Sequence, residues 1–158
     1  MIILGIDQSL TGTGLAVIEC QLGTKPNHSS VLYTNTVETK NLSDMQRIDY
    51  IVSHVLKIVD QFTPVLIVME NYAFGAKGRL AHLGELGGAI KYELYKKGFT
   101  VRVVAPNTLK KFITGFGDAN KELMMEKIES YFGKCFSDDN QADALGLALF
   151  GFFNLMGG

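Results

Sequence analysis

Residues 2–18, IILGIDQSLTGTGLAVI, decide the fold. The apolar run 2–6 stops at Asp7, the pattern of a buried strand whose last residue leaves the sheet. Residues 9–14 (SLTGTG) read as a turn whose two glycines supply unusual dihedrals. Residues 15–18 read as a second strand, so the segment is a hairpin. Working outward, 31–37 alternate as a third strand. A capping box, Ser43-Asp-Met-Gln46, precedes apolar residues at helical spacing up to Phe62, just before Pro64. Residues 65–69 (VLIVM) predict a buried strand ending at Glu70, followed by a polar loop over 71–78. A helix over 79–97 with Gly98 beyond its end, a strand over 101–104 and a short helix over 106–113 follow. Asn120 caps a helix to Phe132, and Asp138 or Asp139 opens a last helix to about Phe153. The order β-β-β-α-β-α-β-α-α-α predicts an α/β fold, a mixed five-stranded sheet flanked by helices.

The 158 residues are 47% hydrophobic and 20% charged, with net charge -1. That composition excludes a disordered chain and suits a single domain over 1–158. No apolar run approaches the ~18–20 residues of a membrane span. The N-terminus shows no basic segment and cleavage site of a secretory signal. Cys20 and Cys135 form no C-x-x-C pair, so a reducing, cytoplasmic setting is expected. Charge is unevenly spread: residues 1–74 carry net -3, 75–111 net +6 and 112–158 net -4. The basic middle, with Lys77, Arg79, Lys91, Lys110 and Lys111, suits a polyanionic partner.

Asp7 and Glu70 each end an apolar strand. If those strands are parallel neighbours, both carboxylates emerge at one edge, where open α/β sheets place ligands. Asp143 lies on an apolar stretch of the last helix, with Asp139 and Asn140 one turn earlier on roughly the same side. Three converging carboxylates coexist at neutral pH only if a proton is retained or cations neutralise them. Hard oxygen ligands favour Mg²⁺ or Mn²⁺. Two such ions ~3.5–4 Å apart serve in-line phosphodiester displacement. The three histidines match no metal or nucleophile pattern, and no Ser-His arrangement supports serine-type catalysis.

GIDQSLTGTGLAVI, VLIVMEN around Glu70, TLKKFITGFGDANK at 108–121 and ADALGLAL around Asp143 together resemble the RuvC family of Holliday-junction resolvases, within the RNase H-like superfamily. The short, divergent loops look like a phage-type member, which would act in the host cytoplasm. The resemblance implies an RNase H-like fold and a Mg²⁺-dependent endonuclease that makes paired nicks in four-way DNA junctions. It implies that Asp7, Glu70 and Asp143 are metal ligands. A fourth acid is usual where this chain has Asn140, and either that residue or Asp139 would serve. Lys110 and Lys121 match the family's basic residues near the active centre. The family's aromatic at the junction crossover falls at Ala73, so Tyr72 or Phe74 would take its stacking role. Phosphates would be held by Lys77, Arg79, Lys91, Lys110, Lys111 and Lys121. The family's Pro-Gly after the first acid is Gln8-Ser9 here.

The helix over 79–97 carries Gly84, Gly87 and Gly88. Glycines there admit another backbone closely, either the domain's own sheet or a two-fold copy of the helix. The second reading resembles the family's homodimer. Other functions to weigh are an RNase H-like nuclease acting on another nucleic acid, a non-catalytic junction-binding protein, and an actin-like ATPase. The last needs two such domains and a longer chain.

Overall fold

The computed structural model describes residues 1–21, 29–71, 80–136 and 138–156. Five strands, β1 (Ile2–Asp7), β2 (Gly12–Glu19), β3 (Ser30–Glu38), β4 (Leu66–Glu70) and β5 (Val101–Val104), form one sheet in the order β3-β2-β1-β4-β5. β1, β2 and β3 are an antiparallel meander, and β4 runs parallel to both β1 and β5. The helices are α1 (Asp44–Phe62), α2 (Leu80–Lys96), α3 (Pro106–Thr114), α4 (Lys121–Phe132) and α5 (Asp139–Met156). The expected mixed α/β architecture is therefore present. No helix among the described residues is long and apolar enough to cross a membrane.

Strand alternation splits the core in two. Leu4, Ile6, Ile67 and Met69 face α1 and α2, packing with Ile51, Val55, Leu86 and Ile90. Ile3 and Val68 face the other way, against Met124 and Ile128 of α4 and Leu145 and Leu149 of α5. By the same parity, Asp7 and Glu70 share the α5 face.

Two expectations need correction. Gly12 and Gly14 lie inside β2 and neither has positive φ. Gly14 is small for a different reason: a Cβ there would stand 2.1 Å from the Asn140 carbonyl oxygen of α5. Gly5 repeats the device on β1, where a Cβ would stand 1.9 Å from the Ala144 carbonyl oxygen. Helix α5 thus rests its backbone directly on the sheet. The capping box at Ser43 does not form as a side-chain cap. The Gln46 amide, which the hydroxyl would have served, bonds instead to the Ser43 main-chain carbonyl at 3.0 Å. At α4 the expected cap holds, Asn120 Oδ1 accepting from the Leu123 amide at 2.9 Å. Gly98 takes φ +85° after α2, as expected of a helix-terminating glycine.

The N-terminus of α5 is also tied sideways. Asp138 accepts from the Gln141 amide at 2.9 Å, capping the helix. It also accepts from the Thr36 hydroxyl of β3 at 2.9 and 2.8 Å. With two glycine seats and this tether, the position of α5 over β1 is over-determined. Gly5→Ala should therefore destabilise the protein by roughly 2–3 kcal/mol, because backbone rather than a flexible side chain must yield. Gly146→Ala, whose Cβ would meet only the ends of Ile113 and Ile128 at 3.4 Å or more, should be neutral or stabilising by up to about 1 kcal/mol. Urea unfolding of the two variants checks the contrast.

Candidate active site

Because β1 and β4 are parallel neighbours in the register Ile6↔Met69, Asp7 and Glu70 end adjacent strands at the same edge. The Gly5 and Gly14 seats lay the first turns of α5 across that edge and bring Asp143 over it. Asp7 is only 8% exposed, and Glu70 and Asp143 are half-buried. Asp7, Glu70 and Asp143 interact electrostatically as one group.

The protonation state follows from burial first and from neighbouring charges second. Burial, then the charges of Glu70 and Asp143, push the Asp7 carboxyl well above the usual range, against the pull of Lys121. Burial, then Asp143, pushes Glu70 up to about 7, with Lys110 and Lys121 opposing. Burial raises Asp143 to about 6 despite Lys121 and Lys110. The two lysines singled out in the sequence thus stand close enough to soften the acid cluster, Lys110 from α3 and Lys121 from the first residue of α4.

The alternatives for a fourth ligand part company in space. Asp139 is ion-paired with the Lys121 ammonium, and that hydrogen bond holds its carboxyl below the usual range. The Asn140 side chain lies against Gly12 of β2, its Nδ2 3.4 Å from where a Cβ would stand. Lys91 is exposed on α2. Lys111 lines a cleft with Ala105, Asn107, Thr108 and Phe112. Tyr72, Phe74, Lys77 and Arg79 lie outside the described residues.

The donor set suits a hard divalent cation: three carboxylates whose charges are unfavourable without one. Their spacing is a separate matter. Among the described residues no three Asp, Glu, His or Cys side chains are already set to grip one ion. Asp139, the nearest further acid on α5, is engaged by Lys121. Sequence reasoning missed Gln8, whose Nε2 donates to the Glu70 carbonyl oxygen at 3.0 Å, and the Thr36–Asp138 tether. Strand parity was the available signal for Gln8; a contact 102 residues apart left none for the tether.

The raised carboxyls have a consequence for stability. In the metal-free protein the folded state holds protons that the unfolded chain releases near pH 4. Stability must then fall as pH rises above about 4, with Glu70 losing its proton at about 7 and Asp7 also held above the usual range. Thermal unfolding in EDTA should show Tm dropping between pH 5 and pH 8, and Glu70→Gln should flatten that slope.

A family model described as Crossover junction endodeoxyribonuclease RuvC matches residues 3–150. The RuvC of Thermotoga maritima is 31% identical over 150 residues, covering 92% of this chain and 87% of its own. Thermus thermophilus RuvC, solved in complex with a Holliday junction substrate, is similar at a TM-score of 0.86 and 26% identity, over 99% of this chain and 95% of that one. Another Thermus thermophilus RuvC structure gives 0.83 and 27%, over 99% and 97%. The matched span runs from β1 through Glu70 to the middle of α5, so the acid-bearing strand ends and helix all fall inside it, and the chain belongs to the RuvC family.

Proposed function

We propose that this chain is a metal-dependent endonuclease that resolves four-way DNA junctions by paired nicks, with residues 1–158 as one nuclease domain. Family membership supports the reaction. The observation that carries the site is the meeting of Asp7, Glu70 and Asp143 at one sheet edge. RuvC-family nucleases are metal-dependent, and the oxygen donors favour Mg²⁺, with Mn²⁺ as a substitute and two ions per site. When bound, the cations supply Lewis acidity for water attack and for the leaving oxygen.

The chain's own residues prepare that chemistry. Asp7 and Glu70 present oxygens from rigid strand ends, and Asp143 closes over them from α5. Burial makes the cluster costly while its charges are unmatched, so cation binding and proton release are linked. Lys121, held by Asp139, and Lys110 place positive charge where a scissile phosphate would enter. Lys111 and Lys91 lie further out as phosphate contacts, with Lys77 and Arg79 assigned the same role and Tyr72 or Phe74 the stacking role. The DNA substrate and two unpaired cysteines fit a cytoplasmic setting.

Opposed nicks need two pockets related by symmetry, and α2 offers the surface for a two-fold pair. Gly87 and Gly88 differ in surroundings, and the two-fold reading is assigned to the exposed one. Gly87 faces the chain's own sheet, whereas a Cβ on exposed Gly88 would meet nothing within 4 Å. Tyr92 and Tyr95 extend the same exposed side, 61% and 75% accessible.

The test is cleavage of a synthetic four-way junction against duplex of equal length, in Mg²⁺ and in EDTA. Junction cleavage in Mg²⁺ alone is expected. Asp7→Asn and Glu70→Gln should each lose more than about 100-fold in cleavage rate, since even outer partners of a metal site are worth roughly 10–100-fold. Both should still bind the junction in EDTA; full cleavage by either variant would refute the site. Gly88→Trp should yield monomers in analytical ultracentrifugation, with paired nicking lost.

A further inference from the structure

Gln8 follows Asp7 and, by strand alternation, points to the opposite face of the sheet, toward α2. It is 9% exposed. Its position is explained by the ladder it extends. The Asn71 amide turns toward β5, bonding the Val104 carbonyl at 2.7 Å. Main-chain groups of successive strand residues point alternately to the two neighbours, so the Glu70 carbonyl turns toward β1. The β1 strand ends at Asp7, and the rung is completed by the Gln8 side chain, Nε2 to Glu70 O at 3.0 Å.

That bond fixes which end of the amide points where. A flipped amide would set two carbonyl oxygens against each other, so Oε1 is left facing α2. There it is buried and, among the described residues, has no hydrogen-bond partner. Its neighbour is Gly87, where a Cβ would stand 2.6 Å from Oε1 and 3.4 Å from Cδ and Nε2. A buried orphan acceptor is unfavourable, and such groups in native structures call for an explanation. Here the explanation is geometric: the amide is clamped between the strand end that carries Glu70 and the bare Cα of Gly87 on α2, which leaves it room.

We propose that Gln8 is a positioning residue: it holds the Glu70 strand end in the orientation that binds a divalent cation, and it makes the seating of α2 felt at the acid pocket. The inference rests on Glu70 being a cation ligand. Gln8 itself touches neither cation nor substrate.

The experiment compares wild type with Gln8→Met, Gln8→Ala, Gly87→Ala and the double variant Gln8→Ala/Gly87→Ala. Mn²⁺ affinity is read without DNA by the loss of the free-ion electron paramagnetic resonance signal. Junction affinity in EDTA, Mg²⁺-dependent cleavage and Tm are read in parallel. Gln8→Met keeps the shape and removes the bond. It should weaken Mn²⁺ binding roughly 10–100-fold, keep junction affinity in EDTA, and keep Tm within about 4 °C of wild type. Gly87→Ala should produce the same loss by displacing the amide, and should add nothing in the Gln8→Ala background. Wild-type Mn²⁺ affinity in Gln8→Met overturns the proposal, as do losses that simply add in the double variant. A wild-type protein that neither binds Mn²⁺ nor cleaves junctions overturns the function itself, which separates the two failures.

Discussion

The seating of one helix backbone on two glycines organises this molecule. Helix α5 approaches β1 and β2 so closely that side chains at positions 5 and 14 would overlap the carbonyl oxygens of Ala144 and Asn140. A Cβ at either position would hold the helix further off the sheet and widen the gap between Asp143 and the strand-end acids. Removing the Cβ atoms shortens that gap where Asp143 must meet Asp7 and Glu70. The tether from Thr36 to Asp138 then sets the rotation of the helix as well as its height.

Burial, and after it the neighbouring acids, displaces the carboxyls of Asp7, Glu70 and Asp143 upward. The chain offsets part of that displacement with Lys110 and Lys121 but does not neutralise the cluster. Lys121 is restrained by its pairing with Asp139, outside the central three. A cation anchored there softens the acids without occupying the space among them. Asn140, uncharged and turned to β2, avoids adding a fourth negative charge to an already strained group. Under the proposed function, divalent ions would relieve the repulsion among these acids on binding.

Much of this was legible in the sequence because it depends on short-range pattern. Apolar runs ending in Asp7 and Glu70, the alternation of strands and helices, and an acid embedded in an apolar helix are local signals, and each element formed within a few residues of its expected bounds. What escaped was long-range. The glycines of SLTGTG looked like turn residues because sequence shows that a Cβ is missing but not which atom comes near. At Ser43 the Gln46 amide bonds the main-chain carbonyl instead of the hydroxyl, a choice of acceptor that the sequence pattern does not encode. Asp139 and Asn140 looked equivalent on the helix, and only the neighbouring elements, α4 for one and β2 for the other, separate them.

The sheet divides the labour of the molecule by parity. Residues of one parity on β1 and β4 carry the acids and face α5. Residues of the other parity face α1 and α2, where the core is apolar and α2 turns Gly88, Tyr92 and Tyr95 outward. The outer face of α2 and the acid pocket lie on opposite sides of the sheet and keep a fixed relation only through a rigid join. A sheet one residue thick supplies it, provided something rigid crosses between the faces at the strand ends, where the ladder runs out. The Gln8 amide stands at that point, bonded to the Glu70 peptide and pressed on α2, so the two faces meet beside the acids rather than through the flexible ends of longer side chains.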